Sequence, residues 1–262
     1  MHSRLTASAA AAVLALALAA PALVAAALVA PAPARAQGLT PEQAKQVEDV
    51  VRRVIKDNPR LILEAIEDLR RQQEAAGKAK ALAALKEKRQ ALENDPGAPV
   101  AGNPAGDVAV VEFFDYRCPY CKAAHERVKQ VVAKDGKVRL VLKEFPILGP
   151  ESVFAARAAL AAHRQDPRKY YALHDALLSA KERLTDALTL KIAADAGLDV
   201  ERIKKDMAAP EISRMLEANA DLAEELGING TPAFVVGDAL APGAIDVATL
   251  EKLIAEARKK AQ

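Results

Sequence analysis

The stretch Val108-Ala-Val-Val-Glu-Phe-Phe114-Asp-Tyr-Arg-Cys118-Pro-Tyr-Cys121-Lys122 decides the fold. Its first half, Val108 to Phe114, is apolar but for Glu112, as suits a short strand buried on both faces. In its second half, Pro119 marks the first position of a helix, where its missing N–H would go unpaired anyway. Cys118 is then the N-cap. Its sulfur is expected to face the free N–H groups of Tyr120 and Cys121 and the positive end of the helix dipole. Those partial charges stabilise a thiolate and lower the thiol pKa. Cys121, one turn further in, is shielded and is the natural resolving thiol. Attack by the first thiolate on a disulfide gives a mixed disulfide, which the second thiol then breaks.

Working outward, the helix is expected to run from about Cys118 to Lys134, and Val138-Arg-Leu-Val-Leu142 is a second strand. That strand–helix–strand unit implies a parallel pair with a right-handed crossover. Residues 151–227 are helical throughout, rich in Ala and Leu and punctuated by Asp166-Pro167, Gly197 and Pro210. Ala233-Phe-Val-Val236 is another strand, entered through Thr231-Pro232. A Gly-rich turn with a short strand near Leu240 leads to a last helix over about Asp246–Lys260.

Upstream, residues 95–107 are rich in Pro and Gly without periodicity and are expected to be a linker. Residues 37–94 are expected to be a helical arm. Thr40-Pro41-Glu42 is a helix start signal, and Asn58-Pro59 restarts the helix by the same chemistry. Val47, Val50, Val51, Val54 and Ile55 share one helical face, and Leu61, Ile62, Ala65, Ile66 and Leu69 form the next stripe. Leu82, Leu85 and Leu92 fall out of register with them, which predicts a bend over residues 74–80, near Gly77. Stripes of this kind must bury themselves against the main domain or against another copy of the chain.

The chain has 262 residues, enough for one domain plus an appendage. Its hydrophobic fraction is 51%, with 3% aromatics and no Trp, so the core is expected to be aliphatic. Arg4, the Ala/Leu/Val run from Ala7 to Val29 and the site Ala34-Arg35-Ala36 predict a signal peptide over residues 1–36. Its removal takes Lys+Arg from 37 to 35 against 35 Asp+Glu, a neutral chain with interspersed charges. Nothing in that balance argues for a nucleic-acid or anionic-membrane partner. Export implies a compartment where disulfides persist. A disulfide scaffold would nonetheless use more cysteines than two, at wider spacings. A purely structural Cys118–Cys121 bridge would close so short a loop that it contributes only about 2 kcal/mol. Half of a zinc site would need further ligands, and His125, His163 and His174 lack paired finger spacing. No metal or other cofactor is therefore expected.

Three segments together resemble a known family. Val110 to Lys122 resembles the active-site segment of DsbA-like thioredoxin-fold proteins. Gly230-Thr-Pro-Ala-Phe-Val-Val-Gly237 resembles their cis-proline loop, and Lys143-Glu-Phe-Pro-Ile-Leu-Gly-Pro150 also follows their pattern. Asn58-Pro-Arg-Leu-Ile-Leu-Glu-Ala-Ile66 resembles the N-terminal region of exported members of the ScsC type, linked to suppression of copper sensitivity, in which the arm mediates self-association. The resemblance implies an α/β thioredoxin fold over residues 108–262, with a helical insertion at about 150–227. It implies Cys118 as nucleophile, Cys121 as resolving cysteine, and a redox-active Cys118–Cys121 disulfide in the oxidised state. Pro232 would be a cis-proline facing the dithiol, and Thr231 would offer backbone pairing to a bound peptide. Glu112 would be a buried acid assisting proton transfer at Cys121, with a raised pKa. One departure is Tyr120, where the strongest oxidants of the family carry His. Tyr adds no cationic donor, so this dithiol is expected to be less oxidising. His125, one turn after Cys121, is expected to be a solvated surface residue, and His163 and His174 ordinary structural or surface residues.

The functional expectation is a periplasmic thiol–disulfide oxidoreductase acting on exported cysteine-containing proteins. In one form it is an isomerase or reductase, assembled through its arm and kept reduced by a DsbD- or ScsB-like membrane reductase. In another it is a monomeric dithiol oxidase recharged by a DsbB-like membrane oxidase. A third reading, of a different class, is copper binding by Cys118 and Cys121, since soft Cu(I) suits thiolates. No Met-rich or His-rich tract supports transport as the main role.

Overall fold

The computed structural model describes residues 39–260, so the signal peptide expected over residues 1–36 lies outside the described residues. The described residues divide into two units, 39–62 and 63–260. In the first, α1 (Pro41–Asp57) begins where the sequence places it. The Thr40 hydroxyl accepts from Gln43 N at 3.2 Å, and the Gln43 side chain accepts from Thr40 N at 2.9 Å, a reciprocal capping box. Val47, Val50, Val51, Val54 and Ile55 are all exposed. Then α2 (Arg60–Glu87) runs through Gly77 without interruption, where a bend was expected. A glycine there costs about 1 kcal/mol, too little to break a helix of 28 residues.

The second unit continues with α3 (Arg89–Glu93), β1 (Val100–Gly102), β2 (Val108–Phe114), α4 (Pro119–Asp135) and β3 (Val138–Glu144). Five helices follow: α5 (Pro150–Gln165), α6 (Pro167–Ser179), α7 (Asp186–Asp195), α8 (Val200–Asp206) and α9 (Pro210–Glu225). The chain returns to the sheet as β4 (Ala233–Val236) and β5 (Ala239–Pro242) and ends in α10 (Val247–Lys260). The sheet order is β1-β3-β2-β4-β5. Strands β2 and β3 pair in parallel, Val108 opposite Val138 and Glu112 opposite Leu142, while β4 lies antiparallel to β2 and β5 to β4. This is the expected thioredoxin arrangement, with the helical insertion between β3 and β4. The apolar run of β2 suits a strand flanked on both sides. Helix α4 stops at Gly136, whose φ of +69° supplies the left-handed C-cap.

Residue alternation along the strands builds two cores, one on each face. Val110, Phe114, Leu140, Leu142 and Phe234 pack with α4, α5, α6 and α10. Val111, Phe113, Val141 and Val235 pack on the other face with Leu222, Leu226, Leu85 and Leu92. Two expectations change here. The stretch 95–107 is more than a linker, because β1 lies within it and pairs antiparallel with β3. Leu85 and Leu92, assigned to the arm, are 2% and 1% exposed in the second core. Their neighbours tie the same segment down. Arg89 bonds Asp238 at 2.6 Å, Arg139 bonds Glu93 O at 2.6 Å, and the buried Lys143 bonds Asp95 at 2.6 Å. Among the described residues no helix is long and apolar enough to cross a membrane.

Candidate active site

Cys118 is the N-cap of α4, in extended conformation, with Pro119 at the first helical position. Both cysteines are free thiols, Cys118 5% exposed and Cys121 fully buried. The Cys118 thiol donates to Thr231 O at 3.2 Å. It makes no capping hydrogen bond, and the Tyr120 and Cys121 amides act on the sulfur as partial positive charges. The Cys118 pKa falls to about 5: a hydrogen bond from the Cys121 thiol lowers it most, burial opposes, and the Thr231 hydroxyl and the two amides lower it further. The Cys121 pKa moves strongly the other way, raised by its bond to Cys118, by burial and by the charges of Glu112 and Cys118. The Asp115 backbone N–H opposes that rise. One sulfur is thus prepared as a thiolate and the other as its proton-bearing partner.

The Thr231–Pro232 peptide is cis, as the resemblance implied. Pro232 is buried, and its carbonyl accepts from Gly243 N at 2.8 Å, which fixes the loop to the end of β5. A groove of about 360 Å³ opens beside it, lined in part by Gly230, Thr231, Pro232, Leu240 and Pro242. Tyr120, at 67% exposed, stands out into solvent.

Glu112 is 1% exposed. It lies on the same sheet face as Val110 and Phe114, the face that α4 and Cys121 cover. Its Oε1 has no hydrogen-bond partner, and burial pushes its pKa up to about 8. The structure therefore brings Cys118, Cys121, Thr231, Pro232 and Glu112 to one place.

Three features were not anticipated. His125 is 4% exposed rather than solvated, and its Nε2 lies 2.7 Å from Asp175 Oδ1. The signal was present: Cys121, Ala124, Val128 and Val131 are the buried stripe of α4, and His125 falls on it. Beneath lies a buried polar cluster. The Tyr116 and Tyr170 hydroxyls donate to Glu144 Oε1 at 2.9 and 3.1 Å, and Tyr116 Oη sits 3.2 Å from His174 Nδ1. Burial raises the Glu144 pKa well above the ordinary range and lowers that of His174 to about 3. The third is Asp115, whose carboxylate binds the turn that carries Cys118. Its bond from Arg117 N, two residues on, is the Asx pattern a sequence reading could have flagged. Ligand atoms of His125, Glu126 and Asp175 converge within 4.8 Å, the spacing of a cation site. The Lys129 ammonium already pairs with Asp175 there, at 2.6 Å.

Residues 109–255 match the family described as DSBA-like thioredoxin domain. The probable disulfide bond formation protein D of Bacillus anthracis is 31% identical over an alignment of 170 residues that covers 61% of this chain and 77% of that protein. A thioredoxin-like oxidoreductase from Silicibacter pomeroyi is 51% identical, with a TM-score of 0.63 over 65% of this chain and 98% of its own. Proteus mirabilis ScsC in a transitional conformation is 31% identical, with a TM-score of 0.63 over 85% of this chain and 98% of its own.

Proposed function

The chain belongs to the DsbA-like thioredoxin-domain family and is a thiol–disulfide oxidoreductase, and on that premise we propose that it reshuffles or reduces disulfides of exported proteins in the periplasm. The observation that carries the mechanism is the asymmetry of the dithiol: a thiolate-forming Cys118 at the helix N-terminus, 5% exposed, and a fully buried, proton-bearing Cys121 one turn further in. The Cys118 thiolate attacks a client disulfide. A bond forms between Cys118 Sγ and one client sulfur, and the other client sulfur leaves as a thiolate and takes a proton from water. Glu112, with its pKa near 8, accepts the Cys121 proton in its ionised fraction. The Cys121 thiolate then attacks Cys118 Sγ, and the second client sulfur departs with the electron pair. Two electrons have passed to the client and Cys118–Cys121 is a disulfide, which a membrane reductase returns to the dithiol. In isomerisation the freed client thiolate attacks elsewhere in the client, and Cys118 is released without net oxidation. Thr231 and Pro232 border a groove for an extended client segment, and Thr231, whose carbonyl meets the Cys118 thiol, joins that groove to the dithiol.

The choice of isomerase or reductase rests on the exposed stripe Val47 to Ile55 of α1. An isolated helix of this length is marginal unless an apolar face is packed. Self-association buries such a face, and a symmetric assembly sets several dithiols around one client. The oxidase reading has its own support in the Cys118 pKa near 5, since a stabilised thiolate makes the disulfide more oxidising.

Cys121→Ser is expected to accumulate mixed disulfides with clients and Cys118→Ser to form none. In the native dithiol Cys118 is alkylated first, with a midpoint near pH 5 set by its pKa. Faster alkylation of Cys121 near neutral pH overturns the assignment of roles. The redox state trapped in cells decides the direction: a reduced pool supports isomerase or reductase, an oxidised pool oxidase.

A further inference from the structure

We propose that Asp115 is a positioning residue for the resolving step, its carboxylate pinning the turn so that its own backbone stays aimed at both cysteines. This rests on the roles just given to Cys118 and Cys121. Asp115 follows the last residue of β2 and is 1% exposed. Its Oδ1 accepts from Arg117 N at 2.7 Å and from Ser152 Oγ at 2.8 Å. Its Oδ2 accepts from Ile147 N at 2.9 Å and from Leu148 N at 3.0 Å. Both oxygens are thus saturated by neutral donors, the arrangement an acceptor-only carboxylate satisfies without loss. The donors come from three places: the active-site turn, the loop after β3 and the first turn of α5. One side chain therefore fixes the turn to the rest of the domain.

The backbone of the same residue meets both cysteines, Cys118 at its amide and Cys121 at its sulfur. Asp115 O accepts from Cys118 N at 3.1 Å. The Asp115 N–H acts on the Cys121 sulfur and favours its thiolate, whereas burial, Cys118 and Glu112 all oppose it. Cys118 differs, because its thiolate is favoured by the Cys121 thiol, the Thr231 hydroxyl and two amides of α4. Loosening the turn therefore handicaps Cys121 more than Cys118, whose thiolate is held by groups outside the turn. The handicap falls where Cys121 gives its proton to Glu112, bonds to Cys118 Sγ and displaces the client sulfur as a thiolate.

The test uses the full chain, reduced and then mixed with oxidised glutathione, with the mixed disulfide quantified by quenching and mass spectrometry. Asp115→Asn keeps the volume but turns an amide NH2 toward two of the four donors. The lifetime of the mixed disulfide is expected to lengthen about tenfold, the equivalent of one or two hydrogen bonds. Ser152→Ala removes one donor and is expected to lengthen it about twofold to threefold. Iodoacetamide alkylation of Cys118 should change less than about twofold, which separates this role from general loosening. A lifetime like that of the native protein in a folded Asp115→Asn variant overturns the inference, as does an equal loss in both rates. If Asp115→Asn does not fold, Ser152→Ala decides alone, a longer lifetime supporting the inference and an unchanged one refuting it. If the native protein forms no mixed disulfide at Cys118, the function reading falls and this inference with it.

Discussion

Glu112→Gln is expected to stabilise the reduced protein, and to do so only where the pH is high enough to matter. The Glu112 carboxyl is 1% exposed with its pKa raised from 4.5 to about 8 by burial. Between those values the unfolded chain releases a proton that the folded chain keeps. The folded state then binds more protons, so stability falls as pH rises from about 4.5 to about 8 and levels off above. At about 1.36 kcal/mol per pKa unit, the loss is roughly 1 kcal/mol at pH 5 and roughly 4 kcal/mol at pH 7.5. Glutamine cannot ionise, so the variant escapes this loss. Its amide also needs partners in a site where Oε1 had none, a cost of about 1–3 kcal/mol that does not depend on pH. The informative quantity is therefore the change in the difference: the variant should gain about 3 kcal/mol on the native protein between pH 5 and pH 7.5. The low pKa of Cys118 contributes a slope of opposite sign, common to both proteins, and cancels. Urea unfolding of both reduced proteins at the two pH values measures this directly. A stability difference that stays constant with pH would refute the buried, proton-retaining carboxyl. The same variant should resolve mixed disulfides more slowly, since its side chain accepts no proton.

Thr231→Val keeps the shape of the loop and removes the hydroxyl that favours the Cys118 thiolate. The alkylation midpoint should move up, client turnover should change, and the melting temperature should hold; an unmoved midpoint with unchanged exchange rates removes the side chain from the mechanism. Deleting residues 37–94 takes away Leu85 and Leu92 with the arm, at a cost of about 2–5 kcal/mol for each buried leucine. A chain starting at Lys80 keeps both, so it should melt at least about 10 °C higher than the shorter form. Sedimentation should find both truncated forms monomeric and the full chain associated. Equal melting temperatures would show that the second core does not need the two leucines.

The central strand and the dithiol helix were legible because each is specified locally. An apolar run with one acid, then Cys-Pro at a helix start, leaves few alternatives. The cis peptide at Pro232 came only through the resemblance, since residue types alone favour trans. Strand β1 was hidden because three residues held to β3 by backbone bonds need no side-chain period, and Pro and Gly flank them. Leu85 and Leu92 were legible as apolar and illegible as to partner. A helical stripe has the same pattern whether it meets its own domain or a second copy. For His125 the polarity of the residue outweighed its place on the inward stripe of α4, and the place was the better guide.

Glu112 and Asp115 show how the surroundings of an acid separate its roles. They lie three residues apart on the same strand and turn, and each is 1% exposed. Asp115 receives four hydrogen bonds from three parts of the chain. Glu112 has an oxygen with none, in an apolar wall between β3 and β4. A buried polar group left unpaired costs stability, and a fold without another use for the position does better with an apolar residue. The satisfied acid is suited to hold geometry, because its bonds are lost if the turn shifts. The unsatisfied acid is suited to move a proton, because its charged and neutral forms lie close in free energy near pH 8. Both bear on Cys121, Glu112 through its charge and Asp115 through its backbone N–H, and each acts by the means its own environment provides.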